Sequence, residues 1–179
     1  ERVLRANDQL SRLFAARDHL GQKPLFYAQR GDELIFASEI KALLAFDPNL
    51  AELDPQALDE YFTLRVITPP RTMFRAVRKL PPAHVLTFDA ESGLRISRYW
   101  DLEYEPKHRG SVSALVDELE EKLVECLRLH MIADVPVGVF LSGGLDSSTL
   151  VAYLGAGTRT FTIGFDVAKH SEVDQAREV

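Results

Sequence analysis

Hydrophobic and polar residues alternate in short runs over the first hundred positions, which is the pattern of strands with one buried face. Two pairs of runs flank turn-forming residues, one pair around Gly31 and the other around Ser92 and Gly93. The sequence therefore predicts two antiparallel hairpins, preceded by a further short strand. The predicted strands are 12–16, 25–28, 34–37, 85–88 and 94–99.

Two stretches between these hairpins begin as helices do. Ser38 is expected to cap a helix that continues to Ala45. Asp54 followed by Pro55 places a good N-cap before proline at the first helical position, and predicts a helix that ends near Leu64. Hairpins together with these helices predict an α+β fold for the first part of the chain.

The pattern changes after residues 103–110, a polar segment with proline and glycine and no periodicity, which we interpret as a domain linker. The elements predicted after it are an amphipathic helix at 113–132, a buried strand at 135–141, a helix from Leu145 and a strand at 160–165. Strands that alternate with helices favour a parallel sheet. The sequence thus predicts an α+β domain with antiparallel sheets at 1–102 and an α/β domain with a parallel sheet at 111–179.

The junction between the predicted strand and the helix from Leu145 has the sequence S-G-G-L-D-S-S, at 142–148. Such a junction suits phosphate, because unpaired N–H groups and the positive end of the helix dipole face outward at a helix start. Gly143 and Gly144 allow the backbone to approach a ligand closely, and Asp146 adds a carboxylate suited to Mg²⁺. The alternative is a turn without a ligand, which the specific order of serine, glycine and aspartate disfavours.

A Walker A loop fails at one position. The segment from Gly138 fits the first half of G-x-x-x-x-G-K-S/T, but Gly144 stands where the lysine belongs. No lysine lies between Lys122 and Lys169. A Walker lysine contacts the β- and γ-phosphates, so its absence from the sequence disfavours an ATPase that transfers the γ-phosphate.

The string at 142–148 resembles the pyrophosphatase loop, S-G-G-x-D-S, of enzymes that cleave ATP to AMP and pyrophosphate. In its wider context, 134–148, it closely resembles the glutamine-hydrolysing asparagine synthetases. Other segments resemble the same family in the same order, with the minor departure that Ala83 stands where the family has glycine. They are A-R-D-H-L-G-Q-K-P-L-F-Y at 16–27, F-A-S-E-I-K-A-L at 36–43, L-P-P-A-H at 80–84 and R-Y-W-D at 98–101.

The resemblance implies a partial N-terminal-nucleophile glutaminase followed by a partial adenine-nucleotide hydrolase-like synthetase domain. It implies a ligase that amidates aspartate through a β-aspartyl-adenylate, using ammonia from glutamine and releasing AMP and pyrophosphate. ATP and Mg²⁺ are the implied cofactors; glutamine, aspartate and ATP are the implied partners, and a homodimer stays open. The alternatives are a relative acting on another carboxylate, as β-lactam synthetases do, and a catalytically dead scaffold.

The resemblance also assigns roles to single residues. Asp18 binds the amino group of glutamine, a sound pairing of carboxylate and ammonium, unless it pairs with Arg17 instead. Asp146 ligates Mg²⁺, and the serines and glycines of the loop donate to pyrophosphate. Leu141 and Ile163 line the adenine site from the ends of adjacent strands, unless both are ordinary core. The implied ATP-binding set is Leu141, Ser142, Gly143, Gly144, Asp146, Ser147, Ser148 and Ile163.

The composition of the chain limits which classes of partner and which cellular compartment we expect. The 179 residues carry a formal net charge of −6, and 46% are hydrophobic. No basic block indicates nucleic acid, and no apolar run comes near the ~20 residues that span a bilayer. A single cysteine excludes an intrachain disulfide and favours a reducing, cytoplasmic compartment. We therefore expect neither nucleic acid nor a membrane as a partner.

That cysteine, Cys126, lies on or beside the apolar stripe of the helix at 113–132. We expect it to be a small buried core residue and not a nucleophile. The family's nucleophile is the N-terminal cysteine of the mature chain, whereas Glu1 is first here. The sequence is therefore expected to be an internal fragment that lacks a catalytic residue and is inactive alone.

Overall fold

The computed structural model describes residues 4–6 (main chain only), 12–166 and 171–179. The chain divides into two compact units between Glu105 and Pro106. Within the described ranges, the first unit has antiparallel strand pairs and the second has a parallel pair.

Two antiparallel sheets form the frame of the first unit. Its strands are β1 (Leu4–Ala6), β2 (Leu13–Ala16), β3 (Phe26–Arg30), β4 (Glu33–Ala37), β5 (Arg78–Lys79), β6 (His84–Asp89) and β7 (Gly93–Arg98). One sheet has the order β1-β4-β3-β5 and the other the order β2-β6-β7. Both predicted hairpins are confirmed, as β3 with β4 and as β6 with β7.

Strand β4 is buried on both faces, and this sets the layers of the unit. Leu34 packs in a cluster with Leu86 and Phe88 of the other sheet, whereas Ile35 packs in a second cluster with Leu43 from a helix. Adjacent residues pack in different clusters because successive side chains of a strand point to opposite faces of the sheet. The layers are therefore helix, four-stranded sheet and three-stranded sheet. On the outer face of the three-stranded sheet, Phe14 is 66% exposed.

The helices of the first unit are α1 (Ile40–Phe46), a 3₁₀ turn (Pro48–Ala51) and α2 (Pro55–Leu64). The predicted cap of α2 is confirmed, since the Asp54 carboxylate accepts from the N–H groups of Gln56 and Ala57. The cap predicted for α1 is wrong. Its N-cap is Glu39, one residue after Ser38, and no side chain caps it. Burial of Leu43 between α1 and the sheet stabilises this short helix where a cap does not.

The second unit contains α3 (Val112–His130), β8 (Gly138–Phe140), α4 (Leu145–Leu154), β9 (Arg159–Phe161) and α5 (Val173–Glu178). Ser111 caps α3 by accepting from the N–H of Ala114 at 3.2 Å. Strands β8 and β9 pair in parallel, with Val139 opposite Thr160. Among the described residues, no helix combines the length and the apolar character needed to cross a membrane.

Two predictions about burial in this unit are wrong. The predicted strand at 135–141 is only the three residues of β8, and Phe140 within it is 75% exposed. Its one sheet neighbour in the described residues is β9, which pairs along one edge of the strand, whereas side chains such as Phe140 point to the faces of the sheet. Cys126 is exposed and not in a core. Helix α3 packs against α4, but Leu123 and Leu127 on the apolar stripe of α3 are only half-buried.

The turn before β6 holds Ala83 in the left-handed region, with φ of 57°. Its N–H donates to the carbonyl of Asp18, and its own carbonyl accepts from the N–H of Tyr99, both at 2.9 Å. The turn thus ties the loop after β2 to the chain leaving β7. A residue with a Cβ is strained in this conformation by roughly 1–2 kcal/mol.

We expect Ala83→Gly to stabilise the first unit by about 0.5–1 kcal/mol, because glycine removes the strain and loses part of that gain through unfolded-state entropy. Urea unfolding followed by the fluorescence of Trp100, the single tryptophan of the chain, measures the change. Ala57→Gly in α2 is the matched control, and it should cost about 1–2 kcal/mol, because its conformation is helical and its buried methyl group is lost. A loss of stability in Ala83→Gly would contradict the left-handed turn.

Candidate functional site

The first candidate site is the loop after β2, which holds Asp18 at the surface. Both carboxylate oxygens accept main-chain hydrogen bonds, Oδ1 from the N–H of Gln22 at 2.9 Å and Oδ2 from the N–H of Lys23 at 3.2 Å. The carbonyl of Asp18 accepts from Gly21 and from Ala83. The carboxylate is therefore held in one orientation by its own loop while staying open to solvent.

These N–H donors, that of Gln22 foremost, hold the pKa of the Asp18 carboxyl below its ordinary value, against the opposing effect of desolvation. The group is thus ionised at neutral pH. An oriented, ionised and exposed carboxylate can bind a ligand ammonium by a charge-assisted hydrogen bond.

Arg17 and the aromatic residues after β7 support this loop. The Arg17 guanidinium donates three hydrogen bonds to main-chain carbonyls and none to the Asp18 carboxylate, with which it interacts only through charge. Tyr99 donates its hydroxyl to the carbonyl of Arg17 at 2.8 Å. The ring of His19 stacks on Trp100, with centroids 4.6 Å apart.

The second candidate site is the glycine loop between β8 and α4. Gly143 has φ of 76°, a conformation that side chains disfavour. A Cβ on Gly143 would lie 2.5 Å from Cβ of Gln175 and 2.6 Å from its carbonyl carbon. Helix α5 thus packs directly on the loop. Sequence reasoning missed this contact, although the polar run at 171–179 has the composition of a helix.

The loop makes hydrogen bonds to its own hydroxyl groups. The N–H of Ser142 donates to Oγ of Ser147, and the N–H of Gly144 donates to Oγ of Ser142, both at 3.3 Å. The two hydroxyls lie 3.0 Å apart. Bonds of 3.3 Å are longer than the usual 2.9–3.0 Å and correspondingly weak. A phosphate oxygen could replace them with shorter, charge-assisted bonds.

The start of α4 has the features that an anion site needs. Its N-cap is Gly144 and no side chain caps it, so first-turn N–H groups stay available. Asp146 lies exposed in that first turn. Within the described part of the chain, Ser148 Oγ is a buried oxygen that lacks a hydrogen-bond partner.

The two residues expected at an adenine site lie in different environments. Leu141 is 5% exposed, and its N–H donates to the carbonyl of Phe161 just beyond the paired strands. Its carbonyl accepts from the hydroxyl of Thr162 at 2.8 Å. Ile163 is 64% exposed. Leu141 thus has core character and Ile163 does not.

Family models match both units of the chain. A glutamine amidotransferase domain model matches residues 6–100, and an asparagine synthase model matches residues 118–179. The first match covers the loop with Asp18, and the second covers the glycine loop.

Curated relatives agree with these models. The chain is 44% identical over 141 residues to the glutamine-hydrolysing asparagine synthetase 3 of Bacillus subtilis, covering 78% of this chain and 23% of that protein. It is 34% identical over 169 residues to asparagine synthetase 1 of the same organism, covering 93% and 26%. It is also 35% identical over 148 residues to the amidase chyE of Penicillium rubens, covering 81% and 21%. The chain therefore spans about a quarter of the length of these relatives.

We expect Ser148→Ala to leave the local stability of α4 unchanged or to raise it by up to about 1 kcal/mol, because a buried hydroxyl without a partner is destabilising. Ser147→Ala, the matched control, removes hydrogen bonds to the loop and should cost about 1 kcal/mol. Hydrogen exchange of peptides spanning 138–154 measures both changes. Equal losses in the two variants would show that Ser148 has a protein partner.

Proposed function

Because the chain belongs to the glutamine-hydrolysing asparagine synthetase family, we propose that its full-length protein makes asparagine from aspartate, with ATP as energy source and glutamine as ammonia donor. The observation that carries this proposal is the glycine loop at the uncapped start of α4, where the buried Ser148 hydroxyl has no partner in the described residues. A phosphate at this place would satisfy that hydroxyl and the free N–H groups together.

The proposed reaction activates a carboxylate whose oxygen is a poor leaving group. A carboxylate oxygen of aspartate attacks the α-phosphorus of ATP, and the bond from that phosphorus to the pyrophosphate oxygen breaks. Glutamine hydrolysis supplies ammonia, which attacks the acyl carbon and displaces AMP. The loop acts on the first step, because groups that hold pyrophosphate stabilise the charge that develops on it as it leaves.

We assign the pyrophosphate to donors from the loop and the first turn of α4. These are Ser142, Gly143, Gly144, Ser147 and Ser148. Hydrogen bonds that join Ser142, Gly144 and Ser147 to one another support this assignment for those three residues. Leu141 and Ile163 are proposed to line the adenine site, because they follow β8 and β9 at the edge where parallel sheets bind ligands.

Asp146 is the proposed ligand of Mg²⁺. Magnesium is usually held by one or two carboxylates together with substrate phosphates, so a single exposed carboxylate beside the loop fits the ion. The described residues contain no group of three or more His, Cys, Asp or Glu placed to hold a metal, which is compatible with an ion that arrives with the nucleotide. When bound, the ion would offset the negative charge of the pyrophosphate.

In the first unit, Asp18 is the proposed partner of the glutamine ammonium. Its orientation by two N–H groups and its lowered pKa support this role. We accordingly assign 1–102 to a glutaminase domain, 103–110 to a linker and 111–179 to a synthetase domain with a parallel sheet. The proposed setting for this biosynthesis is the cytoplasm.

A second candidate function keeps the chemistry and changes the acceptor. The similarity to the amidase chyE over 81% of the chain favours it, because that relative is named for a different activity from the asparagine synthetases. An assay that offers aspartate and other carboxylates in parallel separates the two functions. A non-catalytic scaffold is disfavoured by the complete S-G-G-L-D-S-S string.

The full-length protein should convert ATP to AMP and pyrophosphate in step with asparagine formation. The reason is that the loop contacts proposed here hold the leaving pyrophosphate, and no Walker lysine is present to act on the γ-phosphate. Chromatography of the nucleotide products decides between the two cleavages. Stoichiometric ADP would contradict the assignment of the loop.

Two substitutions in the full-length protein should have opposite effects. Asp146→Asn should slow synthesis by about 100-fold or more, as loss of a preorganised electrostatic contact does, while glutamine hydrolysis survives. Asp18→Ala, the reciprocal control, should raise the KM for glutamine while synthesis from added ammonia continues. Steady-state assays with glutamine and with ammonium salts test both. A wild-type rate of synthesis in Asp146→Asn would contradict its role as the Mg²⁺ ligand. An unchanged KM for glutamine in Asp18→Ala would contradict its role in glutamine binding.

A further inference from the structure

Arg17 is a buried cation that is paired with main-chain oxygens. Its side chain is 6% exposed, and burial lowers its pKa, opposed by the charge of Asp18. A buried charge is costly unless hydrogen bonds replace its water. Here Nε donates to the carbonyl of Lys23 at 2.8 Å, Nη2 to that of Gly21 at 2.6 Å, and Nη1 to that of Leu80 at 2.6 Å.

One of these carbonyls links Arg17 to the carboxylate of Asp18. The oxygen of Gly21 and the N–H of Gln22 belong to the same peptide group, and they point in opposite directions because the bond is trans. The oxygen accepts from Arg17, and the N–H donates to Asp18 Oδ1 at 2.9 Å. The peptide dipole thus lies between a cation and an anion in the orientation that both stabilise. Hydrogen bonds in such a chain strengthen one another.

Gly21 makes this arrangement sterically possible. Its φ is 68°, and a Cβ there would lie 2.7 Å from Cζ of Arg17 and 2.8 Å from Cγ of Pro82. The guanidinium therefore fills the space that a side chain at position 21 would need. Arg17 and Gly21 form a matched pair, and a change in either one should displace the peptide group between them.

We propose that Arg17 is a positioning residue for the glutamine site, which fixes the Asp18 carboxylate through the peptide group joining Gly21 to Gln22. Arg17 itself does not touch the ligand. The inference rests on the proposed role of Asp18 in binding glutamine. Lysine cannot replace Arg17, because one ammonium lacks the planar fork that serves three carbonyls.

The direct test is an NMR titration of the Asp18 carboxylate in the chain itself. The Asp18 pKa should rise toward its ordinary value in Arg17→Lys and in Gly21→Ala, because the N–H of Gln22 is no longer held against Oδ1. Arg17→Lys keeps the positive charge, so a rise reports the lost hydrogen bond and not a lost charge. Ile35→Val removes one buried methyl group from the cluster that Ile35 forms with Leu43 of α1. This variant is the control and should leave the Asp18 pKa unchanged.

An unchanged Asp18 pKa in folded Arg17→Lys overturns the inference. If that variant does not fold, as judged by Trp100 fluorescence, Gly21→Ala decides by the same criterion. A rise in the Ile35→Val control would also overturn it, because the effect would then follow from general loosening of the unit.

The functional test uses the full-length protein. Arg17→Lys should raise the KM for glutamine by about tenfold or more with a smaller change in kcat, since a displaced binding group weakens ground-state and transition-state binding alike. Asp18→Asn is measured beside it. An unchanged KM in Asp18→Asn would refute the glutamine site and leave the titration result standing. A raised KM in Asp18→Asn with an unchanged KM in Arg17→Lys would refute the role of Arg17 alone.

Discussion

Burial of the β3–β4 hairpin on both faces is the constraint on which the first unit depends. Leu34 and Ile35 are adjacent and almost fully buried, yet each faces a different layer. This arrangement fixes the four-stranded sheet between α1 and the three-stranded sheet. It also brings the chain after β5 next to the loop after β2, so that the carbonyl of Leu80 lies within reach of Arg17. The candidate glutamine loop is therefore held by packing that lies outside the loop.

The two candidate sites use main-chain groups in different states. The loop with Asp18 has its carboxylate satisfied by N–H groups of Gln22 and Lys23, so its geometry exists before any ligand arrives. In the glycine loop, the N–H groups of Ser142 and Gly144 donate to serine hydroxyls of the same loop at 3.3 Å. A ligand there must displace weak internal bonds. The preformed carboxylate of Asp18 favours a small cationic group such as an ammonium. The glycine loop favours an anion whose charge-assisted hydrogen bonds are stronger than the internal bonds that it replaces.

Much of the local structure could be predicted from the chain. The hairpins followed from alternation of apolar residues, and the start of α2 from Asp54 before Pro55. Burial in the second unit could not. Cys126 and Phe140 belong to patterns that predict core positions, but both are exposed. A pattern indicates which face an element prefers to bury, whereas actual burial depends on which other elements lie against that face.

The sequence by itself determined the two hairpins, the start of α2 and the helix–strand–helix–strand order after the linker, because periodicity, capping and turn chemistry act between residues a few positions apart. Only the tertiary structure decided the partners of Arg17, the left-handed turn at Ala83 and the contact of Gln175 with Gly143. The physical reason is separation along the chain. The hydrogen bond from Arg17 to Leu80 joins residues 63 positions apart, and such a contact exists only once the sheets between them have packed.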